Sequence, residues 1–148
     1  MYDHGMIAPV VALVIWTMIM LVWLYATRIP AMAKAKVDPE KIKDGGAPFD
    51  MLPVGPRRVA SNYNHLHEQP TLFYAICFAL QFLDQTQPIN IGLAWLYVVL
   101  RIVHSLIQAT VNIIMIRWLV FMAASLVLAA LAFHAAMAVG MVDLSFLH

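Results

Sequence analysis

The chain has 148 residues, 63% of them hydrophobic and 11% charged, with a net charge of +1 and a mean hydropathy of +0.80. So apolar a composition excludes a soluble globular domain of this length, and so balanced a charge gives no footing for a nucleic-acid partner. The sequence reads as an integral membrane protein.

Crossing about 30 Å of hydrocarbon takes roughly 20 helical residues. Four apolar runs approach that length, at about 6–27, 66–83, 91–111 and 114–142. Backbone groups in lipid must bond within their own segment, and the runs lack the alternation of barrel strands. The expected fold class is therefore all-α, a bundle of four transmembrane helices forming one domain over 1–148. Asp3 and His4 precede the first run, with no basic stretch or small-residue cleavage site, so this run is expected to be a retained span. Cys77, alone in the second run, excludes an internal disulfide framework.

Residues 28–60 carry Arg28, Lys34, Lys36, Lys41, Lys43, Arg57 and Arg58, seven of the nine basic residues in the chain. Asp38, Glu40, Asp44 and Asp50 oppose them, leaving a net of three positive charges. Basic loops stay in the cytoplasm, which puts both termini and the Asp84–Asn90 turn on the other side. Asp44-Gly-Gly-Ala-Pro and Leu52-Pro-Val-Gly-Pro predict an irregular linker here. Its lysines read as solvated, whereas Arg28 closes the first span at the depth of Glu68.

Arg58-Val-Ala-Ser-Asn-Tyr-Asn-His-Leu-His-Glu-Gln-Pro70 runs polar side chains straight into the apolar second run. A carboxylate at the mouth of a span is costly, so Glu68 calls for a partner. Ser61, Asn64, His65 and Glu68 form one polar face at spacings of 3, 1 and 3. In the third run, Arg101, His104, Gln108 and Asn112 recur at 3, 4 and 4, which puts them in one stripe on a helix. The two faces lie at the same depth, and an Arg101–Glu68 ion pair would lower the cost of burying either charge. Such residues serve equally well as glue between helices or as a ligand site.

Arg117, followed by Trp118, suits either an interfacial anchor or a cation for an anionic ligand arriving from the cytoplasm. His65 and His67 point about 200° apart on a helix, which argues against a metal or haem held with His104. No metal is expected.

These residues resemble the MAPEG family, the membrane-associated proteins in eicosanoid and glutathione metabolism. Asn62-Tyr-Asn-His-Leu-His-Glu-Gln-Pro70 resembles its second-helix signature, and Arg101-Ile-Val-His104 its third-helix Arg-x-x-His. Arg117 falls where the family places the arginine nearest the bound thiol. The resemblance covers about residues 6–142 and implies a homotrimer that binds glutathione as co-substrate between neighbouring protomers. By it, Glu68 would receive the ligand's amino group and Arg28 its carboxylates. Asn64 or His65 would add a polar contact, and Arg101 and His104 would support the floor. Gln108 would stand beside the thiol, and Arg117 would stabilise the thiolate. His65, Ser61, Asn64, Gln108 and Trp118 each differ from the residue many members carry there.

The expected function is a membrane glutathione-dependent transferase or peroxidase acting on lipophilic electrophiles or lipid hydroperoxides that enter from the bilayer. The alternative is a non-catalytic subunit or scaffold of a larger membrane complex. The compact form suits a bacterial inner membrane. The spans lack the pair of Gly/Pro-broken segments that transporter halves show, which disfavours a channel or carrier.

Overall fold

The computed structural model describes residues 5–37 and 51–142. Asp38, Glu40, Lys41, Lys43, Asp44 and Asp50, with the Asp44–Pro48 motif, lie outside the described residues, as do Asp3 and His4. Five helices account for nearly all of the rest: α1 (Ile7–Lys34), α2 (Val54–His65), α3 (Gln69–Phe82), α4 (Pro88–Ala109) and α5 (Ile114–Ala138). Three of them, α1, α4 and α5, are long and apolar enough to cross a membrane.

The first correction concerns the linker. Helix α1 does not stop at Thr27 but runs on through Arg28 to Lys34. Leaving hydrocarbon does not by itself end a helix, and Ala31, Ala33 and Lys34 are strong helix formers. At the other end, Leu52-Pro-Val-Gly-Pro begins a helix instead of forbidding one. Pro53 is the cap of α2 and Pro56 its third residue. The first turn has no intrahelical acceptors for its N–H groups, so a proline there loses nothing.

The second correction concerns the second span. The run 66–83 is not one helix, because the chain breaks at Leu66–Glu68 and restarts as α3. Pro70 is the cause: within a continuous helix its ring would meet the carbonyl of Leu66, and it has no N–H to donate to it. Residues 66–68 instead make tight backward bonds, Leu66 N to Asn62 O (3.1 Å) and His67 N to Asn64 O (2.9 Å). The 14 residues of α3 rise only about 21 Å, so this limb is too short to cross alone. The Ser61, Asn64 and His65 face thus belongs to α2, while Glu68 caps the next helix.

Helix α4 begins at Pro88, a favoured first-turn proline, and ends at Ala109. Asn112 therefore leaves the helical stripe: it adopts φ +53 and its N–H closes the turn onto the Ile107 carbonyl at 2.7 Å. Asparagine tolerates this left-handed geometry better than most residues. Helix α5 stops at Ala138, short of Val142, because Gly140 at φ +74 turns the chain, with Met141 N bonding Ala136 O at 2.9 Å.

Helices α4 and α5 form the most extensive pair, α1 lies along α2, α3 and α4, and α3 packs on α5. The main core gathers Leu13, Phe73, Cys77, Leu80, Ala94, Ala124 and Leu131, with Phe73 stacked on Tyr97 at 4.3 Å between centroids. A smaller core of Met20, Leu24, Val59, Leu66 and Ala109 holds α2 against α1 and α4. Outside, Val14, Ile15, Met18, Ile19 and Val22 of α1, and Met115, Leu119 and Leu126 of α5, are exposed. A face this apolar is a liability in water and ordinary in lipid.

Candidate functional site

The break between α2 and α3 shapes the site. A helix that ends leaves its last carbonyls without partners and carries partial negative charge there. Arg101, reaching across from α4, donates from Nη2 to the carbonyl of His65 at 3.0 Å. Its guanidinium is 1% exposed, packs 5.8 Å from the Phe121 ring centroid, and has Nε and Nη1 without partners. The expected Arg101–Glu68 ion pair is not what forms. Arg101 turns to the open end of α2, and Glu68, exposed at the start of α3, holds His65 through Oε2 and Nδ1 at 3.0 Å.

Below this point α2 and α4 are joined by polar side chains. Asn62 Nδ2 donates to Ser105 Oγ at 2.5 Å, and Gln108 Nε2 to Ser61 Oγ at 3.1 Å. The stripe on α4 thus looks at α2, as its spacing requires for residues 101, 104 and 108. These contacts leave Asn62 Oδ1, His104 Nδ1 and Gln108 Oε1 buried and without partners.

A cavity of about 470 Å³ opens between α1 and α2, lined by Arg28, Arg57, Ser61, Asn64, His65 and Glu68 beside Leu52, Pro56 and Ala60. Four of the expected ligand residues, Arg28, Asn64, His65 and Glu68, therefore share one chamber within a single chain. It presents two guanidinium groups and one carboxylate, with hydroxyl and amide groups between them. Such a lining suits a small zwitterion.

Arg117 does not line that chamber. It lies on the other side of α2, where Nη1 donates to Asn112 Oδ1 at 2.8 Å. It borders a cavity of about 250 Å³ with Arg57, Arg58, Ser61, Gln108 and Asn112. It also borders one of about 200 Å³ with His65, His104, Ile114, Trp118 and Phe121. His65 is common to the large chamber and the last of these, so it stands between the Glu68 side and the Arg117 side. The rings of His65 and His104 meet edge to face, 6.4 Å between centroids. His67 is turned elsewhere, donating from Nδ1 to the Tyr63 carbonyl at 2.9 Å.

Sequence reasoning missed Arg57, Ser105 and Phe121. Ser105 lies four residues beyond Arg101 and Phe121 four beyond Arg117, so helical spacing pointed to both. Arg57 had no such signal, because the segment before Ser61 reads as linker.

Neither the curated proteins nor the solved structures yielded a match. The profile of the MAPEG family does match, over residues 6–137, which takes in every helix but the last residue of α5. With three helices able to cross a bilayer, the chain is an integral membrane protein and belongs to the MAPEG family.

Proposed function

We propose that this protein is a membrane glutathione-dependent transferase or peroxidase acting on lipophilic electrophiles or lipid hydroperoxides. The observation that carries the reading is the chamber in which Arg28, Asn64, His65 and Glu68 converge. Glutathione has one ammonium and two carboxylates, which Glu68 and the pair Arg28 and Arg57 complement in sign and number. Its thiol would then extend past His65 toward Arg117. A free thiol with a pKa of about 8.5 is mostly protonated at neutral pH, and a neighbouring guanidinium favours the thiolate. Arg101, His104 and Gln108 hold the wall behind it. The apolar substrate would enter past Ile114 and Trp118, both exposed on the outer face.

In this reading α2 and α3 together make the fourth membrane limb, the protein is a homotrimer in a bacterial inner membrane, and both termini lie on the non-cytoplasmic side. Calorimetry on the purified trimer in detergent tests it: glutathione should bind at millimolar concentration or below, and no heat from a folded trimer would sink the proposal.

One observation favours a second reading. Ser61 and Gln108 are engaged with each other across α2 and α4, so part of the polar set acts as glue, as a scaffold subunit would need. Mass spectrometry from native nanodiscs decides between them, a stoichiometric partner protein supporting the scaffold.

A further inference from the structure

We infer that His65, oriented by Glu68, is the general base that takes the proton from the thiol. The inference rests on the glutathione reading of the chamber and adds a proton acceptor to it. An ionised carboxylate can only accept, so the 3.0 Å contact with Oε2 puts the imidazole proton on Nδ1 and leaves the lone pair on Nε2. This is the arrangement by which carboxylates elsewhere fix a histidine for base catalysis. His65 lines both the chamber of Glu68 and the cavity that Arg117 shares with His104 and Phe121, whereas Arg57 and Ser61 join the chamber to the other cavity beside Arg117. A ligand anchored in the chamber and reacting in the cavity of His104 and Phe121 passes the edge of His65.

The groups around His65 have distinct tasks. From α4 come His104 and Arg101, whose Nη2 is engaged with the carbonyl of His65 itself. From α5 comes Arg117, from α1 Arg28, and Arg57 lies on α2. All four arginines are donors that cannot accept a proton at neutral pH, so none can serve as the base. They favour the sulfur anion once it forms. The thiol S–H bond breaks with its electron pair kept on sulfur, and the proton passes to Nε2. The sulfur pair then forms the bond to the electrophilic carbon while the leaving group departs with its bonding electrons. The imidazolium returns the proton to that group or to water.

The test compares the full-length protein in nanodiscs with His65→Gln, His65→Ala and Glu68→Gln at saturating glutathione, using a chloronitrobenzene as electrophile. His65→Gln should lower kcat/KM by about 100-fold, the usual scale of general-base catalysis, and abolish the acid limb of the pH profile. Added imidazole should restore activity to His65→Ala, which a merely structural histidine would not permit. Glu68→Gln should keep the acid limb with a smaller loss, because it positions the base and is not itself the base. Should His65→Gln misfold, imidazole rescue of His65→Ala decides the matter. Full thiolate absorbance of bound glutathione and an unchanged pH profile in a folded His65 variant would overturn the inference alone. Failure of the wild-type protein to bind glutathione would overturn it together with the reading beneath it.

Discussion

Two polar clusters stand at opposite ends of the same bundle, and they are built differently. At one end Asn90, 2% exposed, donates through Nδ2 to Gln85 O and Gln87 Oε1 at 2.9 and 3.0 Å. Its Oδ1 meets His134 Nδ1 at 2.6 Å. Every polar atom of that side chain is used. At the other end Asn62, Arg101, His104 and Gln108 are as deeply buried, yet each keeps at least one polar atom without a partner. A closed cluster is sufficient to lock helices, since in hydrocarbon the gain comes from satisfying each group. A cluster with donors and acceptors left over, walled by a chamber of mixed charge, has capacity for a ligand.

That contrast can be broken by experiment. The largest effect is expected at the charged chamber: Glu68→Ala or Arg28→Ala should weaken glutathione binding by about 30-fold or more, since a ligand seated there would cover these charges and truncating one partner of a buried charge pair commonly costs about 2–5 kcal/mol. Calorimetry reads this, and unchanged affinity in both variants would remove the chamber from the binding site. Next in size, Arg101→Met should destabilise the fold by about 2–3 kcal/mol, because the carbonyl at the end of α2 loses a charge-assisted bond inside the protein. Unfolding in detergent, followed by circular dichroism, gives the value. Asn90→Ala should cost about 1–2 kcal/mol of stability while leaving glutathione affinity as it was. A change in affinity there would erase the distinction between the two ends. The smallest effect is expected for Ser61→Ala. Losing the bond to Gln108 should lower stability by about 1 kcal/mol and, since Ser61 lines the chamber, alter affinity less than threefold.

Much of this was legible from residue spacing. The 101, 104, 108 stripe named the buried face of α4, since side chains three and four apart share a helix face wherever the helix persists. It failed at Asn112 because helices end for local reasons, here a left-handed residue that apolar runs do not reveal. The break before Glu68 was signalled by Pro70, but hydropathy smoothed it into one span. The partner of Arg101 was misjudged for a related reason: charges suggest charges, whereas an open helix end attracts a cation without any charged side chain. Pairing of Glu68 with His65 was within reach of spacing alone, since residues three apart are neighbours on a helix face, but the search for a charged partner pointed to Arg101 instead.

The overhang of α1 ties the site to the lipid itself. Its 28 residues rise about 42 Å, some two helical turns more than a typical hydrocarbon layer, and Arg28 rides on that excess. Glu68 belongs to a limb that restarts on its own after the break. Hydrophobic mismatch therefore acts on the two unequally. Bilayers of longer acyl chains would be expected to change the tilt of α1 and draw Arg28 along its axis relative to Glu68, so membrane thickness becomes a variable in the spacing of the charges that line the chamber.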